Sequence, residues 1–244
     1  MKSLIKTLTL ALLLTASGNF IYAKTASFAT KRSIETQNRN VSGFHAIASS
    51  GSFDVVLRQG GAESIKVEAE ADVINEIVTE VRNGTLMIHS KNTHNWGNFW
   101  NNRHIKIYVV AKNLNSIGLS GSGDFRIEDK FNANDLELRI SGSGDFMGEI
   151  NVKTVAVSIS GSGDFKISGK ADESSVGISG SGDFNGGNLM TRTTAIRVSG
   201  SGDANVYASE KLDASVSGSG DVHYSGHPKS ISKVAHGSGD ISGS

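Results

Sequence analysis

The chain has no cysteine among its 244 residues and only one proline, Pro228. Without cysteine it can form no disulfide, perform no thiol chemistry and carry no lipid on a cysteine that follows an export signal. A single proline also leaves no proline-rich linker between domains. We therefore expect one continuous domain that is stabilised by packing and backbone hydrogen bonds alone.

Long apolar runs and an excess of one charge are also missing. The chain has 24 Lys plus Arg and 24 Asp plus Glu, so composition predicts no strong attraction to nucleic acid. Its longest apolar run, residues 8–15, is too short to cross a bilayer. That run follows the basic residues 1–6 and precedes small residues that end at Ala23, which is typical of a cleavable secretory signal. We predict a signal peptide at 1–23, an exported protein and no integral membrane segment.

One short motif recurs seven times in the second half of the chain. Six copies read Ser-Gly-Ser-Gly-Asp and the last begins with His236. Successive aspartates are separated by 21, 19, 19, 20, 18 and 19 residues, which indicates a solenoid. The seven aspartates are Asp124, Asp145, Asp164, Asp183, Asp203, Asp221 and Asp240.

Apolar residues recur at fixed places on both sides of each motif. They stand seven and five residues before the aspartate, as Val157 and Ile159 do, and directly after it, as Phe165 does. Alternation of this kind predicts two short strands per repeat with the glycines at the corner between them. The period does not fit leucine-rich, hexapeptide or calcium-binding nonapeptide repeats. We predict an all-β fold, a single-stranded parallel β-helix of about 19 residues per coil, right-handed by the general preference of parallel crossovers.

Glycine at both corner positions follows from the same geometry. A backbone that turns sharply inside a narrow coil has no room for a Cβ atom, so a larger residue at the corner is expected to disrupt the coil.

The N-terminal part of the chain is less regular. Residues 24–40 are polar and aperiodic and are predicted to be a flexible leader before a domain at 41–244. A degenerate copy of the motif at residues 49–54 indicates that the coils begin near residue 43. Residues 72–81 have apolar residues at helical spacing, with Asp72 as N-cap and Asn83-Gly84 as stop. We predict a short N-terminal helix here that caps the solenoid.

Both tryptophans lie in residues 94–102, a segment otherwise rich in asparagine. Aromatic rings beside amide side chains suit sugar rings, so Trp96, Asn98, Phe99 and Trp100 are candidate ligand-binding residues. The alternative is that the segment folds over the end of the coil and buries its rings, as large aromatic residues usually do.

The seven aspartates allow two interpretations once they stack in register. Carboxylates about 5 Å apart repel one another, by roughly 1 kcal/mol in water. Backbone N–H groups of the local Ser-Gly-Ser-Gly turn can offset this repulsion, and we favour that structural role. A row of calcium ions between coils is the alternative, although each coil offers few ligands. An active site would break the repeat at one place, and no nucleophile elbow, phosphate loop or zinc helix is present. We predict no enzymatic activity, no catalytic residue and no required cofactor or metal.

The Gly-Ser-Gly-Asp-Phe repeats, the export signal and residues 51–55 closely resemble the putative auto-transporter adhesin family with a head GIN domain, found in Bacteroidetes and related Gram-negative bacteria. The resemblance implies a right-handed β-helix shaped like pectin lyases without their active site. It also implies a role in cell adhesion, in the periplasm or at the cell surface.

We therefore expect a binding module for a cell-surface glycan or protein. A periplasmic structural or sensing component and a polysaccharide-active enzyme are the alternatives. Because no cap is evident after Gly237, we also expect a homo-oligomer through a coil end.

Overall fold

Stacked strands build this molecule because a coil of about 19 residues can form a core only against its neighbours. The structure is a computed structural model that describes residues 33–91 and 103–244. These residues belong to one unit, Arg32–Ser244. The predicted signal peptide lies outside the described residues. No helix in the described part of the chain is long and apolar enough to span a membrane.

Nineteen strands make up the described residues. The first seven are β1 (Ile34–Arg39), β2 (Ala46–Gly51), β3 (Asp54–Gln59), β4 (Ser64–Glu70), β5 (Ile77–Arg82), β6 (Thr85–Ser90) and β7 (Ile105–Ala111). The regular coils, residues 116–244, contain β8 (Ser116–Gly121), β9 (Phe125–Ile127), β10 (Phe131–Asn132), β11 (Asp135–Gly142), β12 (Phe146–Gly161), β13 (Phe165–Gly180), β14 (Phe184–Gly200), β15 (Ala204–Tyr207), β16 (Lys211–Gly218), β17 (Val222–Ser225), β18 (Ser230–Gly237) and β19 (Ile241–Gly243).

The regular coils pair in parallel with equivalent residues of the repeat side by side. Between β13 and β14, for example, Phe165 pairs with Phe184 and Gly180 with Gly200. This register confirms the parallel solenoid that the spacing predicts. Its handedness stays a prediction.

The core is a set of columns, each made of one repeat position. One column consists of phenylalanine rings: the centroids of Phe125 and Phe146 are 5.3 Å apart, and those of Phe146 and Phe165 are 4.8 Å apart. Phe184 continues the column, and all four side chains are buried. Stacking equivalent side chains at the strand spacing thus fills the narrow interior without a second layer.

One coil does not follow chain order. Strand β2 pairs in parallel with both β6 and β8, and β3 pairs in parallel with both β7 and β9. The coil formed by β2 and β3 therefore lies between two coils that come later in the sequence. The motif copy at Gly51 belongs to this coil, as predicted.

Strands β1, β4 and β5, together with residues 71–76 that connect β4 to β5, close the N-terminal end, and we call them the cap. Strand β4 is antiparallel to both β7 and β1, and β5 is antiparallel to β6. Val73, Ile74 and Ile77 are buried and belong to the main core cluster, so the cap covers the coil that β6 and β7 form.

The helix predicted at residues 72–81 is wrong. The chain here forms a 3-10 turn (Ile74–Glu76) and then strand β5. Asn83 and Gly84 have φ of 51° and 73°, so they form the tight turn of the β5–β6 hairpin and do not end a helix. Val, Ile and Thr fill six of the ten positions, and such β-branched residues favour strands.

Part of the segment expected to be a flexible leader is a strand. Strand β1 pairs with β4 along its whole length, from Ile34 opposite Glu70 to Arg39 opposite Ile65. The Arg39 guanidinium also donates a hydrogen bond to the Ile74 carbonyl oxygen at 2.9 Å. The folded domain therefore begins before residue 41.

Candidate functional site

The glycines of each motif form a corner that has no room for side chains. A Cβ atom on Gly161, whose φ is +127°, would lie 2.3 Å from the carbonyl oxygen of Gly142 in the preceding coil. A Cβ atom on Gly163 would lie 2.2 Å from the carbonyl oxygen of Gly144. Two backbone N–H groups, those of Ser162 and Gly163, donate to the Gly142 carbonyl oxygen at 2.9 and 3.1 Å. These hydrogen bonds bring the backbones of neighbouring coils so close together that only glycine, which has no Cβ atom, fits at the corner.

One coil departs from this rule. Phe53 directly precedes Asp54, at the place that Gly123 takes before Asp124, and its side chain is buried. The expectation that any larger residue disrupts the corner therefore fails in the β2–β3 coil.

The aspartates stand in one exposed row, which we call the aspartate row, from Asp54 to Asp240. In every case except Asp240, one carboxylate oxygen accepts a hydrogen bond from the backbone N–H of the next aspartate in the row. For example, Asp164 Oδ1 accepts the N–H of Asp183 at 2.9 Å. The seven N–O distances lie between 2.8 and 3.2 Å, and the donors are Asp124, Asp145, Asp164, Asp183, Asp203, Asp221 and Asp240.

These hydrogen bonds cross from coil to coil, whereas the sequence led us to expect donors within the same turn. A charged acceptor strengthens an N–H bond, so the row offsets part of the repulsion between its carboxylates. The second oxygen of each carboxylate has no hydrogen-bond donor among the described residues. It is therefore available to a ligand.

The described residues contain no group of three or more His, Asp and Glu side chains placed to hold a metal ion. Neighbouring aspartates follow one another along the solenoid, and each coil adds one carboxylate. Calcium usually gathers six to eight oxygen ligands. The row by itself offers a poor calcium cage, and the calcium alternative stays a prediction.

A groove of about 320 Å³ runs beside the aspartate row, and we call it the acidic groove. Asp145, Asp164, Asp183 and Asp203 line one side. The other side consists of the residues two places after each aspartate, which point outward in register: Met147, Lys166, Asn185 and Asn205. Met147 is 44% exposed. The groove thus combines carboxylate acceptors, amide and ammonium donors and one apolar surface.

A second groove, of about 530 Å³, lies at the other corner of the coils. Lys153, Lys170 and Arg192 give it a basic lining beside Met190 and Tyr207. Two hydrogen bonds of 3.1 Å join Arg192 to Glu210 in the adjacent coil. They raise the pKa of Arg192 above its ordinary value and lower the pKa of Glu210. Because Arg192 is engaged in this pair, less positive charge is left for a ligand.

Trp96, Asn98, Phe99 and Trp100 lie outside the described residues, between β6 and β7. The first described residue after them, Arg103, is largely buried and forms ion pairs with Glu70 and Asp72 of the cap. The hydrogen bond with Glu70 is the main reason why the pKa of Arg103 is raised. The chain that follows the tryptophan segment is therefore anchored to the cap.

The repeated motif identifies the aspartates but not the residues opposite them. The structure brings the seven predicted aspartates into one row, and it adds Met147, Lys166, Asn185 and Asn205 as the facing wall. Their identities vary from coil to coil, so no motif reveals them. The signal that could have found them is their constant distance of two residues from the aspartate, since strand alternation turns such residues outward.

Comparisons with known proteins agree with this geometry. The model of the family described as "Putative auto-transporter adhesin, head GIN domain" matches residues 43–228. The structure of a putative adhesin from Bacteroides fragilis is similar with a TM-score of 0.82 and 25% identity, over 87% of this chain and 97% of that one. A putative lipid binding protein from Parabacteroides distasonis gives a TM-score of 0.71 and 29% identity, over 86% and 96%.

A putative adhesin from Parabacteroides merdae has the same fold, with a TM-score of 0.68 at 17% identity over 86% of this chain and 96% of that one. A comparison with curated proteins found no match.

Proposed function

The chain belongs to the family of putative auto-transporter adhesins with a head GIN domain, and from this premise we propose that it is an exported, non-enzymatic module that binds a repeating, hydroxyl-rich polymer such as a surface glycan. The observation that carries the proposal is the repetition within the acidic groove, in which one carboxylate and one facing side chain recur at four successive coils. An active site needs one unique constellation of residues. A row of similar, weak sites that share a carboxylate instead suits a ligand whose own units repeat.

The chemistry of the groove selects the class of ligand. Carboxylate oxygens accept hydrogen bonds from hydroxyl groups, while the amides of Asn185 and Asn205 both donate and accept. Four carboxylates along one wall would repel an anionic polymer. We therefore propose a neutral or amino-containing glycan as the ligand, and disfavour nucleic acid and polyanionic glycans.

Binding at several coils explains how shallow sites can hold a ligand. Once one unit of the polymer is bound, the next unit is held at a high effective concentration beside the next coil, so weak contacts multiply. Trp96, Asn98, Phe99 and Trp100 remain proposed as a second contact, on the sequence argument alone. Export, in the periplasm or at the cell surface, belongs to the same proposal.

The test is a glycan array followed by calorimetric titration of the best hit as oligomers of increasing length. We expect affinity to rise with oligomer length until the groove is filled, and to fall at least tenfold in an Asp164→Asn/Asp183→Asn double variant. Asparagine retains a carbonyl oxygen for the coil-to-coil hydrogen bond, so the fold is preserved while the charge is lost. The Thr154→Ala/Ser175→Ala variant, on a different face, is the control.

A Trp96→Ala/Trp100→Ala variant and titrations with calcium or EDTA complete the design. Loss of binding in the tryptophan variant alone would move the site away from the acidic groove. Loss in EDTA would support the calcium alternative. Absence of binding to any glycan would contradict the proposal and favour a structural or sensing role, and cleavage of the polymer would favour the enzyme alternative.

A further inference from the structure

The coil that contains β18 and β19 carries a charged residue at a core position. Strand β18 pairs in parallel with β16, and this register places Lys233 beside Ala214. Ala214 belongs to an inward column whose other members are apolar and buried. The column consists of Ile117, Leu138, Val157, Val176, Ile196 and Ala214, followed by Lys233.

The Lys233 side chain reaches across the end of the core to the opposite wall. Its Nζ donates a hydrogen bond to the carbonyl oxygen of Ile241 in β19 at 3.1 Å. The same ammonium lies 4.5 Å from the centre of the Tyr224 ring in β17. A cation over an aromatic face is attracted by it, so the position of the side chain is specific.

Apolar residues surround this charge at the open end. All residues of β18 are exposed, and Ile231 and Val234 remain 46% and 45% exposed. Ile231 and Ala235 are the inward neighbours of Lys233 along the strand, beside Leu212 and Val216 of the preceding coil. Without the lysine, this end would present a continuous apolar strip next to an unpaired strand edge, which favours association.

We propose that Lys233 is an end cap that prevents a second copy of the chain from stacking on the C-terminal coil. A stacked coil would bury the ammonium, which is costly unless that coil supplies a carboxylate partner. Two copies related by two-fold symmetry would in addition bring two ammonium groups together. An inward-pointing charge on an edge strand is one of the ways in which β proteins avoid edge-to-edge association.

This inference is independent of the glycan proposal and opposes one expectation from the sequence. We expected a homo-oligomer through a coil end because no cap was evident after Gly237. The register places Lys233, the residue that we propose as the cap, before Gly237, inside β18. With Lys233 in place, we expect the protein to be monomeric through this end.

The test compares the wild-type protein with Lys233→Leu by sedimentation and light scattering over a wide concentration range. We expect Lys233→Leu to self-associate about 100-fold or more tightly than wild type, because the burial penalty of the ammonium is removed. Lys211→Leu is the matched control, since Lys211 is exposed on the neighbouring strand but lies away from the core. It should remain as monomeric as wild type.

Lys233→Ala, which removes the charge without adding a large apolar group, should associate more than wild type and less than Lys233→Leu. Circular dichroism confirms that each variant keeps its strands. The proposal would be overturned by a folded Lys233→Leu variant as monomeric as wild type. It would also be overturned if the wild-type protein formed an oligomer and the Ile231→Asp variant were monomeric.

Discussion

In the regular coils, equivalent backbone groups contact one another at every turn, whereas the cap is joined to the solenoid by antiparallel strand pairs and by side-chain contacts that each occur once. The backbone of Gly161 lies against that of Gly142 in one neighbouring coil and that of Gly180 in the other, and the corner glycines of the other regular coils repeat this contact. Likewise, the carboxylate of Asp164 accepts a hydrogen bond from the backbone N–H of Asp183. In the cap, the Arg103–Glu70 pair has no counterpart elsewhere among the described residues. The regular coils are thus stabilised by the same backbone contacts at every turn, while the attachment of the cap also depends on individual ion pairs.

The sharpest way to break the regular coils is to add one methyl group at a corner. Gly161→Ala should lose about 4 kcal/mol or more of unfolding free energy, because its Cβ would collide with the backbone of Gly142 and φ is +127°. Denaturant unfolding measures the loss. Gly177→Ala is the control: that glycine lies on a strand with its nearest contact at 4.0 Å, and the change should cost less than about 1 kcal/mol. Equal losses of unfolding free energy in the two variants would show that the corner is no less tolerant of a side chain than the strand.

The corresponding change in the cap should have a smaller and more local effect. Glu70→Gln removes one charged partner of the largely buried Arg103 and keeps its ion pair with Asp72, and should cost about 2 to 3 kcal/mol. Hydrogen exchange should increase in β4 and β7 while the regular coils stay protected. Glu137→Gln, whose partner Arg139 is exposed, is the control and should change stability by less than about 0.5 kcal/mol. Uniform loss of protection would mean that cap and coils unfold together.

The smallest effect is expected in the aspartate row. Asp164→Ala removes the acceptor for the Asp183 N–H and should cost about 1 kcal/mol. Asp164→Asn keeps an acceptor oxygen and removes a repelling charge, so it should be neutral or slightly stabilising, most clearly at low salt. Thermal unfolding at two salt concentrations separates the two substitutions. If Asn were as costly as Ala, the negative charge itself would be needed.

The regular coils could be predicted from the sequence because one rule acts at every turn. A short period, an alternating apolar pattern and the glycines of the corner determine strand, register and core, since each residue meets its own equivalent. The row formed by the seven aspartates follows directly from this register.

The cap could not be predicted in the same way. The apolar residues from Val73 to Val81 fit a helix as well as a strand, and only pairing with β6 decides between them. Lys233 shows a related limit: it stands seven residues before Asp240, at the inward position of the repeat, but its charge breaks the apolar pattern, and the pairing with Ala214 shows that the position is kept. The facing wall of the acidic groove, from Met147 to Asn205, varies in sequence and becomes visible only when the coils are stacked.

During synthesis, strands β2 and β3 emerge before the strands that pair with them, which are β6 and β8 for β2 and β7 and β9 for β3. Asp54 meets Asp124, 70 residues later, whereas in the regular coils the aspartates that meet are 18 to 21 residues apart. Closing a longer loop costs more entropy and slows folding. Strands β2 and β3 can pair with β6 and β7 first, but they are held on both sides only once β8 and β9 have been made. We expect a slow folding nucleus that spans residues 46–127, onto which the later coils are added quickly, one by one, in the order of translation.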